Sequence, residues 1–508
     1  MKYVSIIIIT LILSCATLVA QDKRDYQWST KFGGFLDFTQ MVNGRPTLRW
    51  KYTFDYNCRT CSILCDSATG KVLFASSGSK IYDSNMAVIQ NGDTLIDSVW
   101  YNQWGKTGGN SNQADLLLPV GNKVYYFNCN ASDAYLSSDK QFDGMYYHII
   151  DPQANGGAGA VISKKNKLIS DTLGFSGLQA IRHANGRDWW LFKTGFWSIN
   201  DSLKLYKWLI SDTGVGAMQV IKLPPLNFPF PGESNYGAGI QFNELGTKML
   251  IGRVFCFYMA DFNRCSGTLK NVKKIVPECT WKFWNPDGTD TIQTFLNPGD
   301  SAIDSTISGL CYSPNGRFIY VVKLNSIWQW DWADTNKATA WTVIRSGGDT
   351  NWLYATQYSY AKLGPDNRIY IGTAGGGEAW QVIDSPDVKG FGCALKLRQI
   401  LVPYGTFPAT GMLVPANTPN YKLGKDESLC WPLANEELAI GNEQLMVYPN
   451  PANSVLYIQA SYQQKRELYS YTGQLLFTTS ENKIDVSKYP RGLYFVKCGA
   501  EVMKVILE

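Results

Sequence analysis

The chain has 508 residues, 45% of them hydrophobic and 14% aromatic, with 47 basic against 42 acidic side chains for a formal charge of +5. That is apolar material for at least one large core, and the mild charge is scattered rather than striped, so neither a nucleic acid nor an anionic membrane surface is implied as a partner. Only two histidines, His148 and His183, are present, which argues against multi-histidine metal sites and leaves little material for Ser-His-Asp or Cys-His catalysis.

Residues 1–20, MKYVSIIIITLILSCATLVA, join one early lysine to an apolar run and a small-residue exit before Gln21. This is the pattern of a secretory signal peptide whose apolar core is too short for a convincing membrane span, so the mature chain starts near Gln21 without a transmembrane segment. The rival reading is a lipoprotein signal anchored at Cys15, opposed by the apolar residues that continue past it.

Beyond the signal one pattern recurs, clearest in CYSPNGRFIYVVKLNSIWQWDW at Cys311 to Trp332. Alternation gives a short strand, a Pro-Asn-Gly turn, a second strand from Phe318 to Val322, a polar turn, and an aromatic third strand closing on Asp331. The same grammar runs from Phe242 to Phe262 and from Leu363 to Asp384, with looser copies at Cys65 to Asn85, Leu118 to Asp151 and His183 to Trp208. Small sheets repeating every ~40 to 70 residues, each with a face it cannot cover alone, predict a β-propeller of six or seven blades over residues 21–430.

Twelve cysteines in an exported chain point to disulfides. Setting Cys15 and Cys498 aside leaves an even set: Cys58, Cys61, Cys65, Cys129, Cys256, Cys265, Cys279, Cys311, Cys393 and Cys430. Cys265 can bridge locally to Cys256 or to Cys279. The Cys58, Cys61, Cys65 spacing also suits two thiolate ligands of a zinc ion, but neither a second CxxC pair nor a nearby histidine completes the set, so no metal is assigned. His183 precedes an Asn-Gly turn and reads as a turn-capping residue, because no carboxylate or nucleophile is placed to orient it as a base.

Several stretches between Gln21 and Leu423, among them YQWSTKFGGFLDF, CDSATGKVLFASSGSKIYDSN, SNQADLLLPVGNKVYYF, HANGRDWWLF and ADFNRCSGTL, resemble the propeller-type repeat region of large exported Bacteroidetes proteins. That resemblance implies a fold and leaves the activity open. Pro403 to Pro432 is rich in Pro, Gly, Asn and Thr and reads as closing strands giving way to a linker at residues 431–443.

From Gln444 to Glu508, alternating strands are joined by turns at Pro449-Asn450-Pro451, Thr472-Gly473 and Arg491-Gly492, enough for a small Ig-like β-sandwich. The chain as a whole is thus expected to be all-β. The order of Tyr448, Pro449, Asn450, Pro451, Leu456, Gly473, Asp485, Gly492, Tyr494 and Lys504 closely resembles the type A C-terminal sorting domain of the type IX secretion system of Bacteroidetes. The resemblance implies passage through the periplasm, translocon recognition of this module, removal by a sortase, and a final place on the outer surface of a Gram-negative cell or in the medium.

A third pattern, Asp-Ser/Thr followed by a small or aliphatic residue, marks Ser67, Thr94, Ser98, Thr172, Ser202, Thr291, Ser301 and Ser305. It resembles the O-glycosylation acceptor of Bacteroidetes envelope proteins, while Asp-Ser and Asp-Thr are also ordinary turn openers. Two functions remain. One is a non-enzymatic propeller that captures a glycan or protein through aromatic loops, with Trp100, Tyr101, Trp104, Phe196, Trp197, Trp281, Trp284, Trp352 and Tyr354 as candidates that have a core reading as well. The other is a carbohydrate-active hydrolase or lyase with carboxylates at the propeller channel. No cofactor is called for by either.

Overall fold

The computed structural model describes residues 21–29, 34–50, 61–97, 113–130, 142–196, 202–225, 238–277, 279–284, 290–295, 306–347, 357–374, 379–402, 413–430, 446–459, 465–498 and 501–508. The chain divides into two compact units, residues 1–431 and 432–508.

The repeat at Cys311 to Trp332 folds as a four-stranded antiparallel sheet of Ile307–Tyr312, Phe318–Lys323, Ser326–Asp331 and Trp341–Ser346. Phe318, Tyr320 and Val322 pack into one core cluster while Ile319 and Val321 pack into another. A strand covered on both faces reads as the unbroken apolar run FIYVV rather than as alternation. Seven antiparallel sheets of three to five strands follow one another among the described residues, at 27–50, 63–82, 115–169, 173–222, 240–275, 307–346 and 357–401. Successive sheets meet through their first strands, which therefore stand innermost, as in a β-propeller. Blades 6 and 7 approach so closely that a Cβ on Gly309 would lie 2.7 Å from the Ala361 amide nitrogen. A two-stranded hairpin, Cys279–Trp284 with Asp290–Phe295, is inserted between blades 5 and 6.

The aspartate that closes the third strand of so many repeats has a recurring partner, the basic residue that opens the second strand or the turn before it. The pairs are Lys123–Asp151 at 2.7 Å in blade 3, Lys248–Asp261 at 2.5 Å in blade 5, Arg317–Asp331 at 2.9 Å in blade 6 and Arg368–Asp384 at 3.1 Å in blade 7. In blade 4 Arg187 stands 3.9 Å from Asp212. The contact fixes the register of the second and third strands. The Arg317 guanidinium holds the Asp331 carboxyl below the usual carboxylate range.

Blade 7 meets blade 1 to close the ring. Arg45 of blade 1 donates to Asp384 at 2.7 Å and to Gln399 at 3.1 Å, both in blade 7. Beneath this pair the Tyr370 ring packs edge-on against Trp28 and Phe38, with centroids 5.6 and 5.3 Å away.

The second unit is a sandwich of two antiparallel sheets, Met446–Tyr448, Val455–Gln459 and Lys483–Asp485 against Leu475–Thr479, Arg466–Ser470, Gly492–Cys498 and Glu501–Leu507. Strand alternation fills its core with Leu456, Ile458, Leu468, Ile484, Val496 and Val505.

Candidate functional site

The propeller axis is occupied by the protein itself. Residues 413–423, expected to be closing strands and then linker, belong to no sheet beyond single bridges and run buried across the first strands of several blades. Leu413 pairs with Thr373 of blade 7 in both directions, and a Cβ on neighbouring Gly372 would stand 2.0 Å from the Leu413 carbonyl oxygen. Asn417 is the hub. Its Nδ2 donates to Asp115 O at 2.8 Å and Leu178 O at 2.9 Å, and its Oδ1 accepts from Gln179 Nε2 at 3.0 Å. Its backbone N–H donates to Cys61 O and its carbonyl accepts from Ser62 Oγ. Blades 2, 3 and 4 are thus tied to one side chain and its own peptide groups. Tyr421 Oη donates to Leu117 O, Lys362 Nζ donates to Ala416 O at 2.6 Å and to Thr418 Oγ1, and Arg264 donates to Gly424 O.

Where the axial segment leaves the ring, a cavity of about 70 Å3 remains. Asp25, which precedes the first strand of blade 1, lines it together with Gln241 and Glu244 of blade 5, Lys362 of blade 7 and Lys422 of the axial segment. Phe242 and Leu363 supply apolar wall. Lys422 Nζ lies 3.7 Å from Glu244 Oε2, and Lys362 Nζ sits 4.9 Å over the Trp28 ring. Asp25 keeps some solvent contact as a residue, but its Oδ1 is sealed off and has no hydrogen-bond partner. Burial pushes the Asp25 carboxyl up to about 6 against the pull of Lys362 and Lys422, and burial lowers Lys362 to about 8. Sequence reasoning missed Asp25, whose only signal is a carboxylate set against an aromatic strand start.

Asp115 and the two histidines are held in structural hydrogen bonds. Asp115 is buried, pushed up to about 7, and enclosed by Ser76 Oγ and Tyr126 Oη. His148 accepts the Lys165 N–H at Nδ1 and so donates from Nε2 to Asn128 Oδ1, and burial lowers it to about 3. His183 accepts the Asn185 N–H and donates to Cys265 O at 2.8 Å, bracing the Asn-Gly turn.

In the second unit, Asn450 Nδ2 donates to Lys504 O while the Ile506 N–H donates to Asn450 Oδ1, both at 2.9 Å. One side chain therefore imitates a ladder pair and holds the last strand. Asp485 Oδ1 accepts from Ser487 N and Oγ to open a turn, Gly473 and Gly492 take φ of +85° and +146°, and Tyr494 Oη donates to Pro490 O at 2.7 Å. Pro449, Asn450, Pro451 and Lys504 are exposed, as is Tyr448, stacked on Tyr457 with centroids 5.9 Å apart.

The family model of the secretion system C-terminal sorting domain matches residues 446–507. The chain thus carries a type IX secretion sorting domain. Its sorting domain sends it to the cell surface or the medium, and among the described residues no helix is long and apolar enough to cross a membrane. No curated protein matches the sequence. Among solved structures, a Bacteroides uniformis protein assigned as a 6-phosphogluconolactonase is similar at 11% identity and TM-score 0.42, covering 74% of this chain and 97% of its own. The extracellular domain of an assigned one-component system from B. thetaiotaomicron matches at 12% identity and TM-score 0.35 over 96% of this chain and 56% of its own. The Dos1 propeller matches at 10% identity and TM-score 0.32 over 69% and 74%.

The cysteines of the chain depart from the expected pairing. Cys265 bonds neither Cys256 nor Cys279 but Cys430, 165 residues away, just beyond the axial segment. Cys61 is bonded as well. Cys65, Cys129, Cys256, Cys311 and Cys393, expected among the disulfide set, are instead free thiols buried in the core. They are spread over four apolar clusters, where each fills space as a small hydrophobe, and burial raises the Cys256 thiol to about 12.

The Asp-Ser/Thr motifs at Thr94, Thr172 and Ser202 place half-buried hydroxyls before fully buried Leu95, Leu173 and Leu203. Asp93 and Asp171 accept the following N–H at 2.6 and 2.7 Å, so a turn opener ahead of a core leucine accounts for much of the recurrence. Ser67 is likewise half-buried. Ser98, Ser301, Ser305, Cys58, Trp100, Tyr101, Trp104, Trp197, Trp352, Tyr354 and the signal segment lie outside the described residues. Trp281, Trp284, Cys279 and Thr291 lie on the inserted hairpin, and half-buried Phe196 donates its N–H to Thr172 O.

Proposed function

We propose that the exported propeller is a binding module that captures its ligand outside the cell without transforming it. The observation that supports this is the axial segment. It runs through the channel where a propeller enzyme would gather its reacting groups, and it takes up inward-facing groups of blades 2, 3, 4 and 7 in the chain's own hydrogen bonds. The sorting domain is removed at or near residue 444 after transport, the signal peptide leaves at Gln21, and the surface form is the propeller, modified on some of its Asp-Ser/Thr hydroxyls. Intact mass of protein recovered from the cell surface checks both ends, and a species still carrying Lys504 in a secretion-competent strain counts against removal.

A second reading, a carbohydrate-active hydrolase or lyase, has one observation in its favour: Asp25, raised to about 6, and Glu244 line the same cavity. A glycan array combined with a turnover screen on the secreted protein separates the two. Saturable binding without product supports capture, whereas hydrolysis abolished by Asp25→Asn overturns it.

A further inference from the structure

We propose that the outer wall of blades 3, 4 and 5 binds a linear acidic polysaccharide, one whose sugar rings carry carboxylates; this rests on the binding reading and gives it a surface and a ligand class. The outermost strands of blades 3 to 7 are Ala160–Ile169, Gln219–Lys222, Thr268–Ile275, Trp341–Ser346 and Leu395–Leu401. They hold ten basic side chains and no acidic one, although the chain as a whole has 47 basic against 42 acidic residues. Scattered in the sequence, these charges are gathered by the fold because each of these blades turns its last strand outward.

The exposed ones are concentrated further. Lys164, Lys165 and Lys167 on blade 3, Lys222 on blade 4, and Lys270, Lys273 and Lys274 on blade 5 face solvent on successive blades. On blades 6 and 7, by contrast, Arg345 and Arg398 are half-buried and Lys396 meets Asp384 at 3.0 Å. Asp261, opposite Lys270 in the register, is itself taken by Lys248 at 2.5 Å and by the Asn271 amide at 2.7 Å. Lysine on an edge strand also blocks pairing with another chain. Here the backbone already breaks the edges: the blade 3 strand shifts register against its neighbour three times, the blade 5 strand bulges around Asn271 at φ +50°, and the blade 4 edge is divided between a two-residue and a four-residue strand. A carboxylate would guard an edge as well as an ammonium group, so edge protection leaves the all-basic wall unexplained.

Shape and side-chain type choose the polyanion. Successive blades of a seven-bladed ring turn by about 50°, so a wall spanning three of them is convex and a flat bilayer meets one blade at a time. Duplex DNA, with a persistence length of ~50 nm, is too stiff to follow it. The three strands carry no aromatic residue on which an unpaired base would stack and no arginine to fork onto a phosphate. A flexible polysaccharide follows the curve, and its carboxylates meet the ammonium groups as point charges. Exposed Ile162, Met218 and Val220, on or beside the same strands, offer aliphatic contact to the faces of its rings.

The test uses the full chain recovered from the medium or cell surface, titrated calorimetrically with an alginate decasaccharide and, for comparison, with a neutral dextran oligosaccharide, a short DNA duplex and phosphatidylglycerol vesicles. The alginate oligomer is expected to bind, to weaken about tenfold or more between ~50 and ~200 mM salt, and to weaken about threefold to tenfold in each of two variants, Lys164→Gln with Lys167→Gln and Lys270→Gln with Lys273→Gln. Lys71→Gln with Lys425→Gln removes the same charge from exposed positions off these strands and should leave the affinity unchanged. Circular dichroism confirms that each variant is folded. Alginate binding unchanged in both wall variants, or weakened as much by the control pair, overturns the wall while leaving the capture reading standing. Absence of alginate binding, or binding of the dextran, the duplex or the vesicles as tight as that of alginate, overturns the acidic-polysaccharide assignment. Shortening of the alginate by the protein overturns the capture reading itself.

Discussion

Asn417→Ala tests whether the axial segment holds the ring together. The side chain makes three hydrogen bonds, to Asp115 O, Leu178 O and Gln179 Nε2, in a site where Asn417 is 3% exposed. Each such bond contributes about 1 kcal/mol net, and truncation leaves two carbonyls and one amide buried without partners, so the expected loss is about 3 to 4 kcal/mol. That is a large share of the ~5 to 15 kcal/mol that holds a domain folded. Residues 432–508 contain no tryptophan, so tryptophan fluorescence during urea unfolding reports the propeller alone. Asn417→Asp sharpens the test, because it keeps the shape and the acceptor but turns a second oxygen toward two carbonyls. It should cost at least as much as alanine at pH 7. Its folded-state pKa is raised, so the penalty should shrink as acid protonates the new carboxyl and restores a donor. A loss below about 1 kcal/mol for alanine, or an aspartate milder than alanine at pH 7, refutes the hub.

Three further outcomes are expected. Asp25 has a folded pKa of about 6 against 3.8 for the free group, so ionisation costs the fold; stability is full below about pH 4 and declines as pH rises through 6, and Asp25→Asn should gain on the order of 3 kcal/mol at pH 7.5 and nothing at pH 4 in urea melts. Cys430→Ser opens a loop of 165 residues and should lower propeller stability by up to about 5 kcal/mol on the chain-entropy account, a difference that vanishes when both proteins are melted under reductant. In the sorting domain, Asn450→Ala should cost about 2 kcal/mol of that unit's stability and reduce export, whereas Tyr448→Ala should reduce export with the melting point unchanged; equal melting points for both variants would remove the structural role of Asn450.

The blades were legible because local rules and the global fold agree in them. Turn, apolar strand and closing aspartate recur in the sequence because the same basic residue meets that aspartate in blade after blade, as Arg317 meets Asp331 and Lys248 meets Asp261. The sorting motif was legible for a similar reason, since Gly473 and Gly492 take positive φ and Asn450 must reach two peptide groups of the last strand. The axial segment was not. Val414, Ala416, Asn417 and Tyr421 are buried, but the bonds of the segment go to several blades at irregular intervals, to blade 7 at Ala416, to blades 2, 3 and 4 at Asn417 and to blade 3 at Tyr421, so their spacing carries no period and composition alone suggests a linker. The one hint was apolar and aromatic content too high for a solvated connector. Cysteine pairing was equally hidden: sequence proximity favoured Cys256 or Cys279 for Cys265, and only the return of the chain along the axis brings Cys430 to it.

The position of that return bears on the proposed removal of the sorting domain. Every described tie of the axial segment, from Leu413 on Thr373 to the bond at Cys430, precedes the boundary between residues 431 and 432. Blade 1 and blade 7 are joined by Arg45, Asp384 and Gln399, all within the first unit as well. A cut at or near residue 444 therefore removes none of the contacts that close the ring, and the disulfide binds the new end of the chain to blade 5. A propeller closed by an outermost strand drawn from its last residues would be frayed by trimming. Here the final segment is taken inside, locked by Asn417 and then stapled, so the signal needed for passage is separable from the fold that works outside.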